Sequence, residues 1–233
     1  MELGVDKTMP ILKKNRLSTG IADLDIVMEG GYLNPANLII LGPSGTEKAA
    51  FAYHFAGAGK DENAYIICGN SSPADIMKKA SKMGIELDNV KFIDCYSSTL
   101  GRSEAEGSEN IKVIAGPSAL NDISLALNEA MNESSGKRMR VVFDTLSTFV
   151  LYNSKDSIRK FLSVIGGRLR NAQATTLYLV DEGVHDRQLF SLLEHGMDDT
   201  ITIVDKAGKF FLMLPEVDME IPIRIGPSGI TLL

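Results

Sequence analysis

Short, unbroken apolar runs recur along the chain, and between them the apolar positions fall at helical spacing. Leu38 to Leu41, Ala64 to Cys68, Val90 to Cys95, Met139 to Asp144 and Thr175 to Val180 read as strands covered on both faces. The segment 49–58 is apolar nearly all round, which suits a helix buried against a sheet. Pro73 opens a helix carrying Ile76, Met77, Ala80 and Met83 on one side, and Gly84 closes it. Ser118 is placed to cap a helix bearing Leu120, Ile123, Leu127, Ala130 and Met131. Asp156 starts another, with Ile158, Phe161, Leu162, Ile165 and Leu169, and a short helix is expected near Arg187 to Glu194. Before the first strand, Thr19 is placed to cap a short helix of Ile21, Leu24 and Met28 that Gly30 and Gly31 break. After the last helix, 200–204, 210–214 and 221–225 read as strands with no helices between them. Strand alternating with helix gives an α/β fold with a mainly parallel sheet, and the closing run of strands gives an antiparallel C-terminal extension.

The even spread of these runs over 233 residues argues for a single domain spanning residues 1–233. Residues 1–15 show no period and read as an N-terminal arm. Residues 96–117 are rich in Ser, Gly and Glu and read as an exposed loop. A net charge of −6 and a pI near 5.2 argue against nucleic acid as a partner. With no apolar stretch near the roughly 18 residues a membrane span needs, and no leader-like start, the expected location is the cytoplasm. Cys68 and Cys95 each close a strand and read as buried free thiols. His54, His185 and His195 are scattered and read as structural or surface residues.

Ligands in sheets of this kind bind at the carboxyl ends of the strands, which places the loop from Gly42 to Lys48, Asn70 and Asp144 on one rim. The segment Gly42-Pro43-Ser44-Gly45-Thr46-Glu47-Lys48-Ala49 lies between an apolar strand and a helix former, the setting of a phosphate-binding loop. Such a loop reads G-x-x-x-x-G-K-[ST]: backbone N–H groups wrap the phosphates, lysine reaches the outer ones and a hydroxyl holds Mg²⁺. Glu47 stands where the second glycine belongs, and Ala49 where the hydroxyl belongs. A carboxylate about 4 Å from a phosphate, at an effective dielectric near 20, costs on the order of 4 kcal/mol. At a helix N-terminus the same carboxylate is favoured by about 0.3–1 kcal/mol. Glu47 can therefore pair with Lys48 and the loop amides in place of phosphate, or it can point to solvent and leave the loop open. Asp144 ends a buried strand, where an aspartate can serve simply to cap the next turn.

The order of these parts resembles the RecA superfamily, and within it the KaiC-like ATPases, over nearly the whole chain. Ser18-Thr19-Gly20-Ile21 through Gly30-Gly31 is similar to the family's lead-in, the loop above to its Walker A, and Val141-Val142-Phe143-Asp144-Thr145-Leu146-Ser147 to its Walker B strand. The stretches 180–186 and 225–230 fit its later segments. The resemblance implies an ATP-binding, Mg²⁺-dependent assembly whose subunits act across interfaces. Family ATPases place a water-orienting glutamate just before a Ser-Pro pair, where this chain has Asn70 and Ser71. The family's late strand carries basic residues that reach a neighbour's phosphates, and 210–218 has none. The expected function is therefore a degenerate, non-hydrolysing P-loop protein acting in regulation or assembly, with itself or with an active relative. ATP binding is expected to be weak or absent, Mg²⁺ has no secure place, and Asp144, the metal ligand that the resemblance implies, is expected to be vestigial. The competing expectations are a slow or atypical ATPase and an accessory protein of DNA repair.

Overall fold

The computed structural model describes residues 15–44, 46–59, 61–101, 109–215, 217 and 219–233, without the side chains of residues 46 and 47. The expected N-terminal arm thus lies almost wholly outside the described residues. The chain begins with a two-residue strand β1 (Arg16–Leu17), helix α1 (Ala22–Val27) and strand β2 (Tyr32–Leu33), which pairs with β1. There follow β3 (Ala36–Gly42), α2 (Thr46–Gly57), β4 (Asn63–Cys68), α3 (Pro73–Lys82) and β5 (Val90–Asp94). Next come β6 (Ile111–Val113), α4 (Leu120–Glu133), β7 (Met139–Phe143), α5 (Leu146–Tyr152), α6 (Lys155–Asn171), β8 (Ala174–Asp181) and α7 (Arg187–Glu194). Four strands close the chain: β9 (Asp199–Lys206), β10 (Lys209–Met213), β11 (Glu220–Gly226) and β12 (Gly229–Leu232).

One ten-stranded sheet holds these together in the order β12-β11-β10-β9-β3-β8-β7-β4-β5-β6. The strands from β9 to β6 in that order run parallel, and β9 to β12 turn back on one another, as the pattern of apolar runs predicts. Because a strand alternates its side chains, each central strand feeds two cores. Leu38, Ile40, Ile66, Val142, Leu177 and Leu179 pack with Phe51 and Phe55 of α2 on one side. Ile39, Ile67, Val141, Phe143 and Tyr178 pack with Ile158 and Ile165 of α6 on the other. Phe143 lies at the middle of the second core, stacked on Tyr178 and edge-on to Phe149 and Phe161.

Several local expectations are corrected. Ser118 does not cap α4; Ala119 precedes that helix without a side-chain bond, while Asn153 bonds the Pro117 carbonyl and ties the segment to α5. Thr19 does not cap α1; its hydroxyl and amide both bind the Asp25 carboxylate and so fold the lead-in onto the helix. The helix α5 was not expected, nor were β12 or the edge strand β6, which lies inside the stretch read as an exposed loop. Within that stretch Ser97–Leu100 forms a 3-10 turn, and residues 102–108 lie outside the described ones. β10 begins one residue earlier than the apolar run, so it includes Lys209, opposite Lys206 of β9.

Arg140 is the large polar group inside this fold. It is 2% exposed, pairs with Glu62 at 2.9 Å, donates to the carbonyls of Ser18 and Phe55, and lies over the Phe55 ring. One guanidinium thus joins β7, the end of α2 and the lead-in. His54 does the same for the far edge, accepting the amide of Ile230 and so docking β12 on α2. We predict that Phe143→Ala, which empties the shared centre of the second core, lowers unfolding free energy by about 3–5 kcal/mol. Urea titration followed by circular dichroism measures it, and a loss under about 1 kcal/mol contradicts the packing role assigned to Phe143.

Candidate functional site

In the sheet order β3-β8-β7-β4, every strand runs the same way, so their carboxyl ends form one rim. That rim brings together Lys48 at the start of α2, Asp181 at the end of β8, Asp144 after β7, and Asn70 and Ser71 after β4. With Ser44, Ala49, Tyr53, Lys79, Thr145 and Leu179 they line a cleft of about 290 Å³. Of the residues the sequence places on this rim, Ser44, Lys48, Asn70 and Asp144 line the cleft, and Ala49 lies beside them. Gly45, and the side chains of Thr46 and Glu47, lie outside the described residues.

Lys48 is 4% exposed. Its ammonium donates to the Gly42 carbonyl at 3.0 Å, to the Pro43 carbonyl, and to Asp181 Oδ1 at 2.8 Å. An ammonium has three donors, and here each has an acceptor. Glu47, which the sequence offers as one carboxylate able to pair with Lys48, has its side chain outside the described residues; the carboxylate described on Lys48 is Asp181 of the neighbouring strand.

Asp181 is itself fixed on the backbone side. It lies opposite Gly42 in the β3–β8 register, and its amide donates to the buried Ser147 hydroxyl at 2.9 Å. The same hydroxyl bonds His185 Nε2 at 2.9 Å, and the Glu182 amide returns to the Gly42 carbonyl at 2.9 Å. Gly42 has a packing reason to be glycine, since a Cβ there would lie 2.9 Å from the Cβ of Ile203 on β9. The first glycine of the loop motif is thus required by strand packing whatever the loop binds.

Asp144 is half-buried on the cleft floor. Its Oδ1 accepts the Gly69 amide at 2.7 Å. That approach needs a bare Cα at Gly69, because a Cβ would meet the Thr145 methyl at 2.8 Å and the Phe149 ring at 2.9 Å. Burial pushes the Asp144 carboxyl up to about 7; the Gly69 hydrogen bond and the Lys79 charge act against it. Thr145, next in sequence, caps α5 by accepting the Thr148 amide. Asn70 and Ser71 supply an amide and a hydroxyl where the cleft faces α3, and Ala49 supplies a methyl group.

Sequence reasoning missed Asp181, Lys79, Tyr53 and the Ser147–His185 pair as parts of this site. Asp181 had a signal of the same kind as Asp144, an acidic residue ending a buried apolar run, but its pairing with Lys48 spans 133 positions. Cys68 and Cys95 are buried free thiols, as read from the sequence, and lie in the two separate cores. Among the described residues no cluster of three or more His, Cys, Asp or Glu is arranged to hold a metal ion, and no helix is long and apolar enough to cross a membrane.

The model of the family described as "ATPase: KaiC" matches residues 17–209, which takes in the lead-in, the loop, the Asp144 strand and the Asp181 strand. The chain belongs to the KaiC ATPase family. Within that family it is 26% identical over 170 residues to the circadian clock oscillator protein KaiC of Parasynechococcus marenigrum, covering 71% of this chain and 32% of that one. It is 24% identical to a UPF0273 protein of Methanopyrus kandleri, covering 81% of this chain and 76% of the relative. The corresponding figures for a UPF0273 protein of Aeropyrum pernix are 24%, 89% and 81%. The chain therefore spans about a third of the length of that KaiC relative and most of the length of the UPF0273 relatives. Its mainly parallel sheet, flanked by helices and extended by antiparallel C-terminal strands, is the RecA-like fold expected of a KaiC-family chain.

The titration of Asp144 makes stability depend on pH. The unfolded carboxyl ionises near 3.8 and the folded one near 7, so between those values the folded state holds the extra proton and stability falls as pH rises. His54 and His185 act oppositely, since burial lowers both and stability falls as pH drops below 6.5. We predict that Asp144→Asn gains stability relative to the parent on going from about pH 5 to about pH 8.5, by on the order of 2 kcal/mol. Denaturant midpoints at the two pH values measure the difference. A parallel pH profile for the two proteins would mean that Asp144 is ionised in the fold throughout.

Proposed function

We propose that this KaiC-family domain is a pseudo-ATPase, a P-loop chain that does not hydrolyse nucleotide and uses the fold for regulation or assembly with itself or with an active relative. The observation that carries this reading is the make-up of the cleft wall. Asn70 and Ser71 occupy the place from which a carboxylate would orient water, and neither is a base at neutral pH. Ala49 offers no oxygen to a metal. Asp144, the remaining candidate metal ligand, gives one oxygen to the Gly69 amide and has its ionisation raised to about 7. As they stand, these residues are a poor fit to a Mg²⁺-polyphosphate: of the side-chain oxygens lining the cleft only those of Asp144 and Asp181 belong to carboxylates, one Asp144 oxygen is taken by the Gly69 amide, and Asp181 is engaged by Lys48. No step of phosphoryl transfer is derived from them.

One observation favours the competing reading, a slow ATPase. Lys79 lines the cleft beside Asp144 and, with Lys209 of β10, provides cations that the sequence pattern did not foresee. A single experiment separates the two. We predict that the purified protein releases no phosphate from ATP above background, with or without Mg²⁺, and that Lys48→Ala leaves that background unchanged. Turnover that disappears in Lys48→Ala establishes the enzyme. Assembly is tested separately. Light scattering at high protein concentration is expected to report a mass above the 25.3 kDa of one chain, and a monomer with no co-purifying relative counts against the proposed role.

A further inference from the structure

We infer that Asp181 is an internal anion that occupies Lys48 in the place a ligand's phosphate would take, so that polyphosphate affinity at this cleft is set by competition with one carboxylate. This rests on the reading of the cleft as a degenerate phosphate site.

A lysine that serves a phosphate must present an ammonium to the cleft. Here the ammonium's three donors are already taken, by both loop carbonyls and the Asp181 carboxylate. The Lys48 side chain is 5% exposed and that of Asp181 is 23% exposed, so water reaches the carboxylate more readily than the ammonium. An anion approaching Lys48 from the cleft meets the Asp181 charge beside it. It must either sit beside that charge or displace it.

Displacement is stereochemically simple. The Asp181 backbone is held by its pairing with Gly42 and by the Ser147 hydroxyl, which His185 orients from the loop after β8. The carboxylate is joined to that fixed backbone only through its own side-chain torsions, and it borders the open cleft. Its exchange for another anion therefore needs a side-chain rotation and no rearrangement of the sheet. Ser147 is a positioning residue in this scheme, because it fixes where the carboxylate starts.

The test uses the intact chain and inorganic pyrophosphate, with calorimetry for affinity and with acylation by an amine-reactive reagent, read by mass spectrometry, for Lys48 access. Asp181→Asn keeps the shape and removes the charge. It should bind pyrophosphate about 30-fold more tightly than the parent, half of the repulsion expected from a carboxylate about 4 Å from a phosphate at an effective dielectric near 20. Lys48 should acylate faster in Asp181→Asn, pyrophosphate should slow that acylation, and Lys48→Ala in the same background should remove the affinity gain. Ser147→Ala should move affinity in the same direction by a smaller factor.

Equal affinity in the parent and Asp181→Asn overturns the inference. So does an equal gain in Asp144→Asn, which would make the effect one of general cleft charge. If Asp181→Asn does not fold, the parent carries the test alone: Lys48 must acylate more slowly than the exposed Lys137, and fast acylation overturns the lock. The parent reading fails independently, through ATP turnover, and a hydrolysing Asp181→Asn would refute the pseudo-ATPase while leaving the lock standing.

Discussion

The cleft depends on one ammonium group whose hydrogen bonds are complete without a ligand. Lys48 donates to two carbonyls of its own loop and to Asp181 of the adjacent strand. A buried lysine must be paired, since an unpaired charge there costs several kcal/mol. In a P-loop that serves nucleotide, the ligand itself can be the partner. Here the chain supplies one, and the loop, β3 and β8 are drawn together by the contact.

The strand order makes that pairing available. β8 lies between β3 and β7, so the acidic residues at the ends of β8 and just after β7 lie on one side of the loop, with Asp181 beside Gly42 and Asp144 one strand further on. Close backbone approach at two glycines completes the rim. Gly42 admits the Ile203 side chain, and Gly69 lets β4 reach the Asp144 carboxylate over the Phe149 ring. Neither glycine is explained by a ligand. Both are explained by neighbours, and a glycine count in a motif therefore says little about whether the motif binds.

The stability of the domain lies elsewhere. Two apolar layers on either face of the sheet supply it, and Arg140 and His54 tie the lead-in and the last strand to α2. These ties use backbone carbonyls and amides, so they constrain geometry without reference to the cleft. Changes at Asn70, Ala49 and the loop can accumulate while the fold stays intact. That separation of core from rim makes the fold's stability largely independent of the residues that line the cleft.

The sequence by itself determined the alternation of strands and helices, because unbroken apolar runs and helical periodicity are local and strong signals. It also determined that the loop, Asn70 and Asp144 share a rim, since parallel strands leave no other place for their ends. It did not determine β6, whose three residues are half-exposed or exposed and are held by pairing with β5, not by their own pattern. Nor did it determine α5, whose Leu146-Ser147-Thr148-Phe149-Val150 carries β-branched and apolar residues that fit strand or helix. The Thr145 cap and the contact with β8 decide for helix. The partner of Lys48 was the largest gap. From the sequence, Glu47 was the nearest carboxylate in the chain. Asp181 is far along the chain and adjacent in space, and only the order of strands in the sheet could bring a charge from 133 positions away onto the loop.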